Sequence, residues 1–570
     1  MLEKTPWALL TASSFVAAVL AGACAVNTTG DCAENGTCAP ADASADATMQ
    51  PDVMVAIDSG DASDAGTGAG GDADAADAPL EAFADANDAG DGSVDADANA
   101  DADAAPGCNP AVGPAQDPCV LDPLYGVFVA TNGLDTNPGT PVAPVQTIGA
   151  GISKAADAGI AHVYVCAGTY VEPVRITSAV SVFGGLGCPG GGLPWAYDGG
   201  IVQLVAGSNL IPLTIDTPDA SLAIQDLRVS AASVSLEDDA GNGESSIAVL
   251  VNGSTVAFSR CRFTSGTGAP GHDGVTPANY MGGTAAQGGM PNMAAAGGAG
   301  GSSACGDGTS SIGGTGGSGM VAMSLVGGMG SSQPPTTQTT NGFDGVGGSG
   351  GLVTCGQSPD PGANGAPGLA ATVPTAFGSW SDAGWIPAAG GGGANGNPGQ
   401  GGGGGGGKTN GLGGGGGGAG GCGGAGGTGG GGGGSSIALL AVRGTVTLDT
   451  NCLLTSANAG PGGKGGDGQP GQGGGSFAVA TCPGAFGGNG AGGGGGAGGA
   501  GGVSACVVSQ GSAVPLVVPC FLHGNGGLGG AGGKGGAGGD LTPTQNDPAP
   551  PGPDGDAGPT GAGASIYTVP

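Results

Sequence analysis

The sequence predicts an all-β solenoid of stacked turns interrupted by glycine-rich excursions, and three observations predict it. A block recurs: Ser245-Ser246-Ile247-Ala248-Val249-Leu250-Val251 leads through Thr255-Val256-Ala257-Phe258 to Cys261, and Ser435-Ser436-Ile437-Ala438-Leu439-Leu440-Ala441 leads through Thr445-Val446-Thr447-Leu448 to Cys452. A looser third copy runs from Val503 through Cys506-Val507-Val508 and Val514-Pro515-Leu516 to Cys520. Each copy is followed by a glycine-rich run, at Gly266 to Gly434, Gly460 to Gly502 and Gly524 to Gly563. Short β-rich segments that recur with an equivalent cysteine read as successive turns of one stack, the glycine runs leaving from the same corner of each. The predicted order is 1–23 signal peptide, 24–41 a short cysteine segment, 42–107 an acidic linker and 108–265 a cap with the first turns. There follow 266–434 an insertion, 435–457 a turn, 458–502 an insertion, 503–523 a turn, 524–564 a glycine-rich segment and 565–570 a terminal strand.

The amino terminus reads as an address. Met1 to Lys4 is weakly positive, Trp7 to Leu20 is an apolar run of signal-peptide length, and Leu20-Ala21-Gly22-Ala23-Cys24 follows. This resembles a bacterial lipoprotein signal, which implies cleavage before Cys24 and lipid on its thiol, and Ala25 then implies outer-membrane sorting. The same small residues fit ordinary secretory cleavage, so the expectation is export, either lipid-anchored or soluble. No later stretch reads as a membrane span.

The chain carries 44 acidic and 10 basic residues, a formal charge of -34, although only 9% of residues are charged. The acid is concentrated in an Asp-Ala-Gly tract from Asp42 to Asp103, and no Lys or Arg occurs between Lys4 and Lys154. A tract of one charge sign with almost no branched or aromatic residues cannot bury enough surface to offset ordering, so it reads as an extended spacer. Calcium collection is the rival reading, and no other cofactor is expected. Nucleic-acid binding is disfavoured, because nothing basic is available to release counterions from phosphates.

There are 15 cysteines, and lipidation of Cys24 would leave an even number, as an oxidised protein needs. Close neighbours give Cys32 with Cys38, Cys108 with Cys119, and Cys166 with Cys188; other pairings stay open. Cys261, Cys452 and Cys520 are expected to stack at about the 4.8 Å strand spacing, where two can pair. No CxxC pair occurs, which argues against zinc.

From Gly126 the order Val127-Phe128-Val129-Ala130, Asn132-Gly133-Leu134-Asp135-Thr136-Asn137-Pro138-Gly139-Thr140, Pro144-Val145-Gln146-Thr147-Ile148, Val163-Tyr164-Val165, Ala167-Gly168-Thr169-Tyr170-Val171-Glu172 and Val180-Ser181-Val182-Phe183-Gly184-Gly185 is distinctive. It resembles the opening of right-handed parallel β-helix proteins of the pectin-lyase-like superfamily, especially the domain of unknown function that begins many secreted surface β-helices. An open first turn exposes an unpaired edge and an apolar end. Ile148, Ile152 and Ala155 recur at helical spacing, so the segment Thr147 to Ala158 is predicted to cover that end. Further turns are expected at Ile201 to Val205, Leu213 to Ile215 and Leu222 to Val229.

The glycine runs hold most of the 138 glycines and are similar in composition to PGRS-type repeat proteins. Two outcomes are open: flexibility, since glycine loses most entropy on ordering, or side-by-side polyglycine-II-like helices of three residues per turn. Gly-x-Gly-x-x-Gly matches occur without strand-turn-helix context and carry no nucleotide-binding signal.

The resemblance implies two catalytic possibilities, a lyase with arginine beside calcium and a hydrolase with clustered aspartates. Asp226, Arg228, Glu237, Asp238 and Asp239 are the residues such an enzyme would use here. Against it, Gly241-Asn242-Gly243 makes the dense acidic run a turn, and Arg260 and Arg262 are read as outward on one strand. The leading expectation is a surface-anchored structural or adhesive protein facing polysaccharide or matrix, touching membrane only through lipid; the alternative is a polysaccharide lyase or glycoside hydrolase.

Overall fold

A computed structural model describes residues 108–190, 193–218, 220–278, 283–292, 296–319, 355–381, 384–408, 412–514, 520–540 and 547–569. The signal segment, Cys24, the Cys32 and Cys38 pair and the acidic linker lie outside them. The regular elements of the protein are mostly strands, with three parallel sheets. The first runs Gly126–Val129, His162–Cys166, Ser181–Gly187, Ser221–Gln225, Thr255–Ser259, Thr445–Leu448. The second runs Gly168–Val171, Val202–Val205, Leu227–Ser230, Arg262–Thr264, Leu453–Thr455, Cys520–Leu522. The third runs Val174–Ile176, Leu213–Asp216, Ser246–Asn252, Ser436–Val442, Ser504–Gln510, Gly563–Val569. From His162 to Gln510 the chain visits them in the rotation first, second, third, each visit adding one strand to the growing edge, and Cys520–Leu522 and Gly563–Val569 then extend the second and third.

Alternation explains the strands. In Val202–Val205 the buried residues are Val202 and Leu204, and in Leu227–Ser230 they are Leu227 and Val229, as a strand with one solvated face requires. Inward side chains from all three sheets, among them Val163, Leu204, Ile215, Phe258 and Leu439, belong to one apolar core. The third sheet differs. All seven residues of Ser436–Val442 are buried, because a hairpin of Gly378–Ser381 with Gly384–Pro387 lays Trp385 over its outer face against Leu440 and Val508. A near-continuous apolar run is what a parallel strand covered on both faces needs. Val249, Leu439 and Val507 are in-register neighbours in that sheet, so the repeated blocks do stack.

The helix Ile148–Ala158 buries Ile148, Ile152 and Ala155 and packs on the first strands of the first and third sheets, with Thr147 accepting from the Ala150 N–H at 3.2 Å. Glu172 takes the free N–H groups of Ile148 and Gly149 at 2.8 and 3.0 Å, an anion at the positive end of the helix. Gly159 ends it with φ +68°, a left-handed cap that glycine adopts without strain.

The glycine runs are ordered wherever they are described. Every third residue donates to the neighbouring segment: Gly390 to Gly430, Gly393 to Gly427, Gly396 to Gly424 and Gly399 to Gly421, each at 2.8 Å. Successive residues face different neighbours, since Ala419 donates to Ala286, Gly420 to Ser311 and Gly421 to Gly488. Bonding to neighbours at a period of three, with none inside a segment, is the three-residue repeat of the polyproline II family. Hydrogen bonds to surrounding segments satisfy the backbone that a lone glycine run would leave to water.

These segments extend the sheets. Thr264 pairs with Thr455 and Thr455 with Leu522 in the second sheet; just beyond, Gly268 donates to Asn458 and Ala459 to Asn525. Each insertion leaves after a second-sheet strand and returns into a third-sheet strand, so all three use one corner. Two disulfides, Cys305 to Cys422 and Cys355 to Cys482, cross-link the glycine segments with Cα–Cα distances of 5.5 and 5.3 Å.

Candidate functional site

The sequence-predicted residues fall in two separate places. Asp226 alone, and Arg260 with Cys261, make corners between first- and second-sheet strands, Asp226 and Arg260 both in the left-handed region at φ 58° and 53°. Arg260 is therefore not an outward strand residue: the corner turns it back to donate from Nε and Nη2 to the two Asp226 carboxylate oxygens at 2.8 and 2.7 Å. Nη2 also reaches Gln225 Oε1 at 3.0 Å, and the Tyr197 hydroxyl donates to Asp226 at 3.1 Å. The hydrogen bonds it donates to Asp226 push the Arg260 guanidinium further toward its charged form. On the next corner burial would raise the Asp449 carboxyl, but N–H donors from Arg260, Asn451 and Cys452 hold it below its usual range. This column of corner side chains clamps stacked turns. Arg260→Ala leaves a carboxylate only 12% exposed without its partner, and is expected to destabilise by about 1–3 kcal/mol in a denaturant titration. No change in midpoint would contradict the clamp.

Arg228 lies on the second sheet in register with Arg262 and Gln203, away from Asp226's pairing with Arg260. Glu237, Asp238 and Asp239 form a surface loop. Asp238 accepts from the Ala240 and Asn242 N–H groups at 2.9 and 2.8 Å and from Asn242 Nδ2 at 3.0 Å, and Glu237 pairs with His272 at 3.0 Å. Asp239 is exposed. Among the described residues no group of three or more His, Cys, Asp or Glu gathers where a metal ion could sit. The five residues of the enzymatic alternative fall in separate places, Asp226 holding the Arg260 side chain, Arg228 on the second sheet, and Asp238 fixing the backbone of its own loop.

Cys108 with Cys119 and Cys166 with Cys188 are bridged, with Cα–Cα distances of 5.4 and 5.9 Å. Cys520 does not continue the stack of Cys261 and Cys452. It stands opposite Leu454 and is bridged to Cys506, which holds it in the second sheet beside the third. Cys261 and Cys452 remain free and fully buried, their side chains in contact, and burial pushes the Cys261 thiol up. Iodoacetamide should leave both unlabelled in the folded protein and label both after denaturation; rapid labelling of Cys261 in the native state would contradict that burial.

Sequence reasoning missed a cavity of about 240 Å³ where the hairpin meets the turn between the second and third sheets. Its walls include Ile211, Asp238, Glu244, Trp385 and Ile386. Glu244 follows the turn at Gly241, and Trp385 arrives from far later in the chain through the first insertion. Glu244 Oε2 and Trp385 Nε1 are both buried and without a hydrogen-bond partner, and Trp385 is 5% exposed. Burial, with the nearby Asp238 charge, pushes the Glu244 carboxyl above its usual value. The only sequence signal was a glutamate beside an apolar block.

No family model matches the chain, and no curated protein matches it. Among solved structures it is similar to a rhamnogalacturonan lyase at 18% identity with a TM-score of 0.14, over 27% of this chain and 39% of that one. The chain thus spans well under half of that neighbour's length, and a likeness at this level carries no weight for fold or activity.

Proposed function

We propose that this is an exported, surface-anchored structural or adhesive protein built on a right-handed parallel β-helix, which carries its glycine segments as a stiff slab. The observation that carries this reading is the outward row on three adjacent parallel segments. Pro270, Pro461 and Leu528 are exposed side by side, and so are Asp273, Lys464 and Ala531, while the residues between them, His272 apart, are glycines. Side chains on this face also fasten the next segment: Asp273 accepts from the Lys464 N–H at 2.7 Å and Asp467 from the Lys534 N–H at 2.8 Å. A face so constructed presents a broad, fixed array to polysaccharide or matrix and has no cleft in which to distort a sugar.

Five bridged cysteine pairs suit an oxidising compartment, which supports export, and the lipoprotein-like Cys24 supports an anchor in the outer membrane or, without lipid, release outside the cell. No helix among the described residues is long and apolar enough to cross a membrane. The test pairs mass spectrometry of the mature amino terminus with a polysaccharide-cleavage screen. A chain beginning at Cys24 with bound acyl groups and no cleaved substrate is expected. Cleavage of any polysaccharide that is lost in Asp226→Asn or Arg228→Ala would overturn the reading in favour of a lyase or hydrolase.

A further inference from the structure

We propose that the cavity between the hairpin and the third sheet is a binding site for a small aliphatic primary amine, held by its ammonium on Glu244. The proposal is independent of how the protein is anchored.

The chemistry follows from what the walls lack. Glu244 Oε2 is buried with no donor, and a carboxylate oxygen removed from water needs one. Three other polar walls are engaged, since Asp238 accepts three hydrogen bonds from its own loop, Ser246 Oγ donates to Ala232 O at 2.8 Å and Ser381 Oγ donates to Gly384 O, whereas Trp385 Nε1 has no acceptor. Among the described residues no Lys or Arg lines the cavity, and the two described carboxylates there, Glu244 and Asp238, give it one sign of charge. A cation that donates hydrogen bonds meets both conditions; a neutral sugar meets the second poorly, and an acidic sugar is repelled. Ile211, Ile386 and the Trp385 ring supply an apolar wall for an alkyl body, and an aromatic face near an ammonium adds attraction. At about 240 Å³ the space is below the ~300–1,000 Å³ of drug-sized sites, which restricts the ligand to a few carbons.

The carboxyl of Glu244, raised by burial and by Asp238, makes the site sensitive to acid. The titratable groups facing it are Asp238, from its own turn, and behind that the Glu237 and His272 pair at 3.0 Å; the described third-sheet and hairpin walls contribute none. Protonation of Glu244 removes the charge that holds the ammonium, so binding weakens as pH falls.

The experiment is calorimetric titration of the full chain with n-pentylamine, 1-pentanol and methyl glucopyranoside. Saturable binding of the amine is expected, at least about tenfold tighter than the alcohol or the sugar, weaker at pH 4 than at pH 7, and reduced at least about tenfold in Glu244→Gln. If Glu244→Gln does not fold, the amine-to-alcohol ratio and its loss at low pH decide the question on the unaltered protein. Equal binding of alcohol and amine, tighter binding of the sugar, no saturation by the amine at about 10 mM, or unchanged amine affinity in folded Glu244→Gln would each overturn the assignment.

Discussion

Gly430→Val is expected to destabilise the protein by at least about 3 kcal/mol, seen as a fall in the denaturation midpoint or as failure to accumulate folded chain. Gly430 is buried, donates to Ala497 O at 3.0 Å and accepts from Gly390 N at 2.8 Å. A Cβ there would run into the carbonyl oxygen of Gly463, so the obstacle is backbone that no rotamer change can clear. Moving the segment instead would break both hydrogen bonds and disturb the segments beyond. Leu528→Ala is the matched control. Leu528 belongs to the same lattice but is 70% exposed on its outer row, and its truncation is expected to stay within about 0.5 kcal/mol. Similar effects at the two positions would mean that the glycine segments do not pack as described.

Leu439→Ala is the second large effect, with an expected loss of about 2–5 kcal/mol in the same titration. The side chain is 0% exposed in the common core, on a strand paired in register with its counterparts at Val249 and Val507. Truncation leaves a cavity between turns whose backbones are fixed by hydrogen bonds on both sides, so little collapse is available to reduce the cost. Leu440→Ala should fall in the same range although it points the opposite way, because Leu440 is covered by Trp385 and its neighbours on the outer face. A near-neutral Leu440→Ala would show that the hairpin does not cover the third sheet in solution.

The stack was legible because its signal is local and repeated. Ser245 to Cys261 and Ser435 to Cys452 carry the same alternation, and nothing but in-register stacking uses an identical face twice. The cap was legible for the same reason, Ile148, Ile152 and Ala155 lying on one helical face. The glycine lattice was legible only in part. The run Asn525 to Asp540 keeps two glycines between outward residues, the pattern of a segment with one face in solvent, whereas Gly413 to Gly418 has no side chains at all, as a segment surrounded by others requires. Composition alone could not say whether neighbours would be present to bond them.

Other features depended on contacts that sequence spacing cannot supply. Arg260 was read as a strand residue because its left-handed corner has no glycine to announce it; the Asp226 carboxylate and the Asp449 acceptors hold it there. The displacement of Cys520 from the cysteine stack follows from its bond to Cys506, one strand away in space. The cavity was invisible, since Trp385 reaches Glu244 only after the first insertion folds a hairpin back over the third sheet.

Hydrogen exchange followed by mass spectrometry tests most directly whether the glycine segments continue the registered sheets. Peptides from 412–434 and 485–502 are expected to exchange as slowly as the strand peptide 436–442, because nearly all their amides are bonded to neighbouring segments, and 524–539, bonded mainly at every third residue, is expected to be protected only in part. Protection of 436–442 alongside exchange of the glycine peptides at the rate of an unstructured chain would contradict the account.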